Sequence, residues 1–172
     1  MNAYLDEIES PVGPTAFATD ETGALLGLRF RESRHPAILE DGLMREGFSF
    51  LRDEARTAAA HGQLAGYFAG ERRLFDLPVA RRGSDFQEAV WAELSRIPFG
   101  ETRTYGQVSE SIEGTGNARD VGAACAANPV LLVVPCHRVV GADGSLKGYA
   151  DGMPLKVRLL NFEEEIQKPP FA

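Results

Sequence analysis

Arg81-Arg82-Gly83-Ser84-Asp85-Phe86-Gln87 divides this chain of 172 residues. Arg81-Arg82-Gly83 has the composition of a linker. Ser84-Asp85-Phe86-Gln87 has the S-x-x-Q form of a capping box, which marks a helix start. Phe86, Val90, Leu94 and Ile97 follow at helical spacing, and Pro98-Phe99-Gly100 ends the run. Thr104-Tyr105-Gly106-Gln107 repeats the capping-box form and opens a short helix to about Ile112. Glu113-Gly114-Thr115-Gly116 reads as a turn. Asn117 then caps a helix to about Ala127, with Asp120 in its first turn. Two short helices joined by a glycine turn form either a helix-turn-helix or an ordinary αα-corner. Leu155, Leu159, Phe162 and Ile166 mark a final amphipathic helix.

Before the linker the pattern changes. Thr15 to Asp20 and Ala24 to Phe30 read as strands around a hairpin turn, Asp20-Glu21-Thr22-Gly23. Residues 32–47 read as a loop. A helix is expected from Ser49 to Phe68, broken or bent at Gly62, and Phe75–Val79 reads as one more strand. The expected fold is α/β, with a small N-terminal sheet-plus-helix domain over residues 1–83. A mainly helical C-terminal domain, residues 84–172, carries the helix-turn-helix and a reactive-cysteine loop.

Composition narrows the chemistry. Hydrophobic content of 44% supports a core. No basic, apolar leader and no run of about 18 apolar residues is present, so a cytoplasmic protein is expected. Two cysteines 11 positions apart fit no zinc pattern, and the three histidines are scattered. Neither a metal nor a cofactor is expected. The net charge of −7 is spread over both parts, with 10 basic and 13 acidic side chains in residues 1–83 and 8 and 12 in 84–172. A nucleic-acid partner would have to be held by shape, backbone amides and a few well-placed cations.

Cys136 is the candidate nucleophile. It lies in Pro135-Cys136-His137-Arg138-Val139, directly after the apolar run Val130–Val134. The thiolate is the reactive species, so a base and an orienting group are needed. His137 is the candidate base. Glu163, Glu164, Glu165 and Asn128 are candidate orienters. The plain alternative is a small buried cysteine beside a hydrogen-bonded core histidine. The helix Ala118–Ala127 consists almost entirely of small side chains with one cation, Arg119, at its start. It lacks the long polar side chains of a major-groove reader, and suits the minor groove or tight core packing.

Several blocks together resemble one family. Gly100-Glu101-Thr102-Arg103-Thr104-Tyr105-Gly106-Gln107-Val108, Ala118-Arg119-Asp120-Val121-Gly122, Asn128-Pro129, Pro135-Cys136-His137-Arg138-Val139, Gly148-Tyr149 and Leu159-Leu160-Asn161-Phe162-Glu163 resemble the O6-alkylguanine-DNA alkyltransferases in order and spacing. The resemblance covers about residues 84–166, and is looser over 1–83.

It implies a single-use reaction in which Cys136 takes the alkyl group from guanine O6, or from O4 of alkylthymine. His137, acting through a water and polarised by Glu163, would accept the thiol proton. Tyr105 would assist the departing guanine at N3, and Asn128 would fix the turn before the cysteine. The resemblance further implies that Arg119 fills the gap left by the flipped base. The small-residue helix, with Ala123 and Ala126, would enter the minor groove of alkylated double-stranded DNA. Val139, Tyr149 and the Ala150 amide would hold the guanine, in a monomeric protein. One departure is Asp151, where the family commonly has glycine; it is expected to narrow the pocket lip or repel a phosphate. Two other readings stand beside this one: a non-reactive alkyl-damage-recognition protein, whose known members replace the cysteine, and an unrelated Cys-His hydrolase.

Overall fold

The computed structural model describes residues 1–112 and 116–169, so Glu113-Gly114-Thr115 of the expected turn lie outside the described residues. The chain forms two compact units. The first comprises Met1–Arg82 together with Pro129–Leu131; the second comprises Gly83–Asn128 and Leu132 onward.

The first unit is built on a four-stranded sheet of order β3-β2-β1-β4, with β1 at Asn2–Ile8, β2 at Thr15–Thr19, β3 at Leu25–Phe30 and β4 at Ser49–Leu51. The first three strands pair antiparallel, and β4 runs parallel to β1. The β2–β3 turn closes as its sequence requires. The Asp20 carboxylate accepts from the Thr22 and Ala24 amides, and Gly23 takes a positive φ of 86°. Phe17, Leu25, Leu28 and Phe30 are fully buried.

Four expectations are corrected here. Residues 32–47 contain a helix, α1, at Ile38–Arg45. Leu39 and Leu43, one turn apart, are both buried, and that contact outweighs the breaker residues Pro36 and Gly42. Ser49–Phe68 is not one helix from its start. β4 comes first, and α2 runs Glu54–Phe68 from the N-cap Asp53, whose carboxylate accepts from the Ala55 amide. Gly62 does not break α2. A mid-helix glycine costs about 1 kcal/mol, whereas Leu64 and Tyr67 are fully buried on the same helix. Each such burial is worth roughly 1.5–3 kcal/mol. Finally, Phe75–Val79 forms no strand. Leu25 bridges Val79 through two backbone bonds, Leu25 N–H to Pro78 O and Ala80 N–H to Leu25 O. Pro78 has no amide with which to extend a ladder.

The second unit holds α3 (Asp85–Leu94), β5 (Arg103–Thr104), α4 (Tyr105–Glu110), α5 (Ala118–Ala126), β6 (Val139–Val140) and α6 (Met153–Gln167). The caps at Ser84, Thr104 and Asn117 are all complete capping boxes, closed by Gln87, Gln107 and Asp120. α5 packs against both α3 and α4. The Trp91 indole N–H, on α3, donates to the Ala124 carbonyl of α5 at 2.9 Å. β5 and β6 pair in parallel, Arg103 opposite Val139. That pairing sets the residues just before Tyr105 beside those just after the cysteine.

Candidate active site

Cys136 begins a single 3-10 turn, Cys136–Arg138, that runs straight into β6. The turn is wholly buried, with Cys136 at 3% exposure and His137 at 0%. The approach to it is tight: Leu132, a buried non-glycine residue, has a φ of +73°. Asn128 holds this approach. Its side-chain amide donates to the Val134 carbonyl at 2.9 Å and to Cys136 Sγ at 3.3 Å, and its backbone amide donates to Cys125 O. A donor aimed at sulfur favours the thiolate over the thiol.

Glu163, on α6, is the point on which the donors converge. His137 Nε2 lies 2.9 Å from its Oε1. Arg138 donates from Nε at 3.0 and 3.1 Å and from Nη2 at 2.6 Å, and the Gly100 amide donates to Oε2 at 3.2 Å. Arg138 Nη1 is held in turn by the Ile97 carbonyl. Burial alone would raise the Glu163 pKa, but His137 and Arg138 outweigh it and hold the carboxyl down at about 2. Burial pushes the His137 pKa below its ordinary value, against the pull of Glu163. The site therefore pairs an ionised carboxylate with a neutral imidazole, the carboxylate being balanced by Arg138. The carboxylate fixes the imidazole proton on Nε2. Nδ1 then carries the lone pair, and it has no hydrogen-bond partner among the described residues. Of the four candidate orienters, Glu163 takes the histidine and Asn128 takes the sulfur, while Glu164 and Glu165 are exposed.

Cys136 opens onto a cleft of about 710 Å³. Tyr105, Arg119, Ala126, Tyr149 and Ala150 line it with the cysteine. His137, Glu163 and Asn128 stand behind the sulfur and not in the cleft wall. Ala123 is exposed on α5 but outside the cleft, as are Val139, which is fully buried, and Asp151, which is 5% exposed. The burial of Asp151 removes it from the pocket lip where its sequence position suggested it. Burial first, then the two cysteines, push the Tyr105 phenol up to about 12, so it stays protonated and able to donate. Cys125 lines the same cleft, but burial first and Cys136 second push its thiol up to about 12. It remains an inert thiol.

Two buried cations escaped sequence reasoning. Arg138 stands in the cysteine motif with no local signal that it is buried. Lys156 is fully buried on α6. Its ammonium donates to the Val139 carbonyl at 2.6 Å and the Gly148 carbonyl at 3.2 Å, and lies 5.8 Å from the Tyr105 ring centre. A lysine at a helix position facing Leu155 and Leu159 carries no local signal of burial. Its partners come from two other segments.

The chain is similar to known proteins over nearly its whole length. Residues 85–165 match the family model described as 6-O-methylguanine DNA methyltransferase, DNA binding domain. A methylated-DNA–protein-cysteine methyltransferase of Methanosarcina acetivorans is 42% identical over 160 residues, 93% of this chain and 97% of that protein. The crystal structure of the Mycobacterium tuberculosis O6-methylguanine methyltransferase superposes with a TM-score of 0.81 at 38% identity, covering 98% of this chain and 96% of that one. A structure of M. tuberculosis OGT in complex with DNA gives a TM-score of 0.80 at 38% identity, over 95% and 94% of the two chains.

Proposed function

The chain belongs to the methylated-DNA–protein-cysteine methyltransferase family, and we propose that it repairs O6-alkylguanine in DNA by moving the alkyl group onto its own Cys136. The observation that carries this reading is the position of the sulfur. It lines a cleft large enough for a base, with Asn128 and the buried His137–Glu163 pair behind it.

The Cys136 thiolate attacks the alkyl carbon in line with the bond to O6. The S–C bond forms, the C–O6 bond breaks, and guanine leaves with the electron pair. The thiol proton passes through a water to His137 Nδ1, and Glu163 stabilises the imidazolium that results. The Tyr105 phenol donates to the departing ring at N3. The product is a thioether, so each molecule acts once. O4-alkylthymine presents the same kind of alkyl–oxygen bond and is a second substrate class.

Cys136 is only 3% exposed, so it cannot meet a base inside a duplex and the nucleotide must leave the stack. α5 is the minor-groove element. Ala123 and Ala126 are exposed on it, and their small side chains let DNA approach its backbone. Arg119, exposed in its first turn, fills the space of the everted base. Tyr149, the Ala150 amide and main-chain groups near Val139 hold the guanine edge. In this reading residues 84–172 bind DNA and accept the alkyl group, and residues 1–83 have a structural role. The protein acts as a monomer. Among the described residues no helix is long and apolar enough to cross a membrane, and both cysteines are free thiols, as a reducing cytoplasm would keep them.

The test is intact-mass analysis after incubation with a duplex containing one O6-methylguanine, with Cys136→Ala as control. One methyl per protein on the Cys136 peptide, followed by inactivity, is expected. Tight binding without transfer would point to a damage-recognition protein, and repeated turnover to a hydrolase; either would sink the reading.

A further inference from the structure

In a chain of net charge −7, the residues lining the cleft around Cys136 include no carboxylate among the described residues, and their only charges are two cations, Arg119 and Lys147. A neutral alkylated base needs neither. Arg119 has a place in base eversion, at the start of α5. Lys147 comes from a different segment, the strap between β6 and α6, and nothing in the proposed chemistry uses it.

The strap is built to carry that lysine. The Gly141 amide donates to Ser145 O at 2.8 Å, and the Gly144 amide to Gly141 O at 2.9 Å, with Gly144 at a φ of +79°. Gly141 is buried, and a Cβ there would stand 2.7 Å from Lys147 Cε, so the lysine stem lies across the Gly141 backbone. The carboxylate that feels the Lys147 charge is Asp143, whose Oδ1 already accepts from the Ser145 amide at 3.0 Å and the Ser145 hydroxyl at 2.6 Å. Lys147 forms no ion pair within 4 Å among the described residues. Its exposed head is therefore positioned by packing of its stem and remains available to another anion. Tyr149 and Ala150, two and three residues further along the same strap, line the cleft with it.

We propose that Lys147 is a phosphate-binding residue: it pairs with a backbone phosphate of the DNA strand whose nucleotide enters the cleft, and so favours damaged DNA over a free damaged base. This rests on the repair reading above. A base held against Tyr149 and Ala150 keeps its sugar and phosphate on the solvent side, where the Lys147 head lies. The acidic chain otherwise repels that backbone, so one well-placed cation carries a large share of the attraction.

The experiment measures binding of a methylated duplex to the Cys136→Ser protein, with and without Lys147→Gln or Lys147→Arg, across a salt series. Each neutralised phosphate contributes about 0.9 to the slope of log affinity against log salt. Lys147→Gln is expected to lower that slope by about 0.9, which makes its loss of affinity between about 50 and 200 mM salt roughly 3.5-fold smaller. Lys147→Arg should keep the slope. With Cys136 intact, Lys147→Gln should slow transfer from subsaturating methylated duplex more than transfer from O6-benzylguanine as free base. An unchanged slope, or equal slowing on both substrates, would overturn the inference, because a lysine that only packs the strap predicts that result. No transfer from either substrate by the unsubstituted protein would overturn the repair reading itself, and the phosphate role with it.

Discussion

Glu163→Gln tests the site most directly, because one fully buried carboxylate serves three donors at once. His137, Arg138 and the Gly100 amide all place hydrogens on its two oxygens. A glutamine of the same shape offers one oxygen and, in place of the other, an NH2 group. If the oxygen takes the Oε1 place it keeps His137 and Arg138 Nη2, and the NH2 faces the Gly100 amide and Arg138 Nε. If it takes the Oε2 place, the NH2 faces His137 Nε2 and Arg138 Nη2 and drives the imidazole toward the wrong tautomer. In both cases the Arg138 charge, 5% exposed, loses its counter-ion. Breaking a buried pair in this way costs about 3–5 kcal/mol of stability. General-base assistance is worth about 10²–10⁴ in rate, and that factor should be lost from methyl transfer. The assay is single-turnover quench followed by intact mass, on protein shown by circular dichroism to be folded, with Glu164→Gln as an exposed control. A folded Glu163→Gln protein that transfers within about threefold of the parent would refute the argument that this carboxylate orients the base.

Other consequences follow from the same geometry. His137 has its pKa lowered by burial, so the base stays neutral as pH falls through the ordinary histidine range; the transfer rate should hold from pH 8 to about 6.5 and decline only below it. Stability should follow the same sign, because both His137 and Glu163 bind protons less readily folded than unfolded; denaturant midpoints should fall as pH drops below about 6.5 and again below about 4.5, and a midpoint that rises there would contradict the assignment. Cys125→Ala should retain transfer, and peptide mapping of the parent should find the alkyl group on Cys136 alone, since Cys125 has its thiol pushed up to about 12. Lys156→Met removes the donor to two carbonyls and should cost about 1–3 kcal/mol; recovery of stability in urea titrations by Lys156→Arg would show that the charge-assisted bonds, and not the volume, matter. Asn128→Ala leaves the buried Val134 carbonyl without its side-chain donor and removes the bond to sulfur, so both the denaturant midpoint and the transfer rate should drop.

The parts of this protein that follow from neighbouring residues were legible in its sequence. A capping box is closed by residues three apart, so Ser84, Thr104 and Asn117 announced α3, α4 and α5 unaided. The Asp20 to Gly23 turn and the strands around it read the same way. α1 was missed because its signal, two leucines one turn apart, is weak beside Pro36 and Gly42. α2 runs on through Gly62 because the local penalty of about 1 kcal/mol is smaller than the burial on either side of it, which only the fold reveals.

The site divides along the same line. The sequence by itself marked Cys136 as the candidate nucleophile and His137 as its candidate base, left Glu163, Glu164, Glu165 and Asn128 as possible orienters, and made α5 smooth with one cation. The family resemblance already pointed to Glu163; only the tertiary structure decided that it meets His137 and also serves Arg138 and Gly100. The same holds for the buried Lys156, for Val139 and Asp151 lying outside the cleft wall, and for Lys147 lining with Arg119 a cleft without a carboxylate among the described residues. The physical reason is range. Caps and turns are bonds between residues a few positions apart, so their spacing is written in the chain. Desolvation and charge depend on everything folded around a group, and α6 approaches the cysteine turn only when the second unit is assembled.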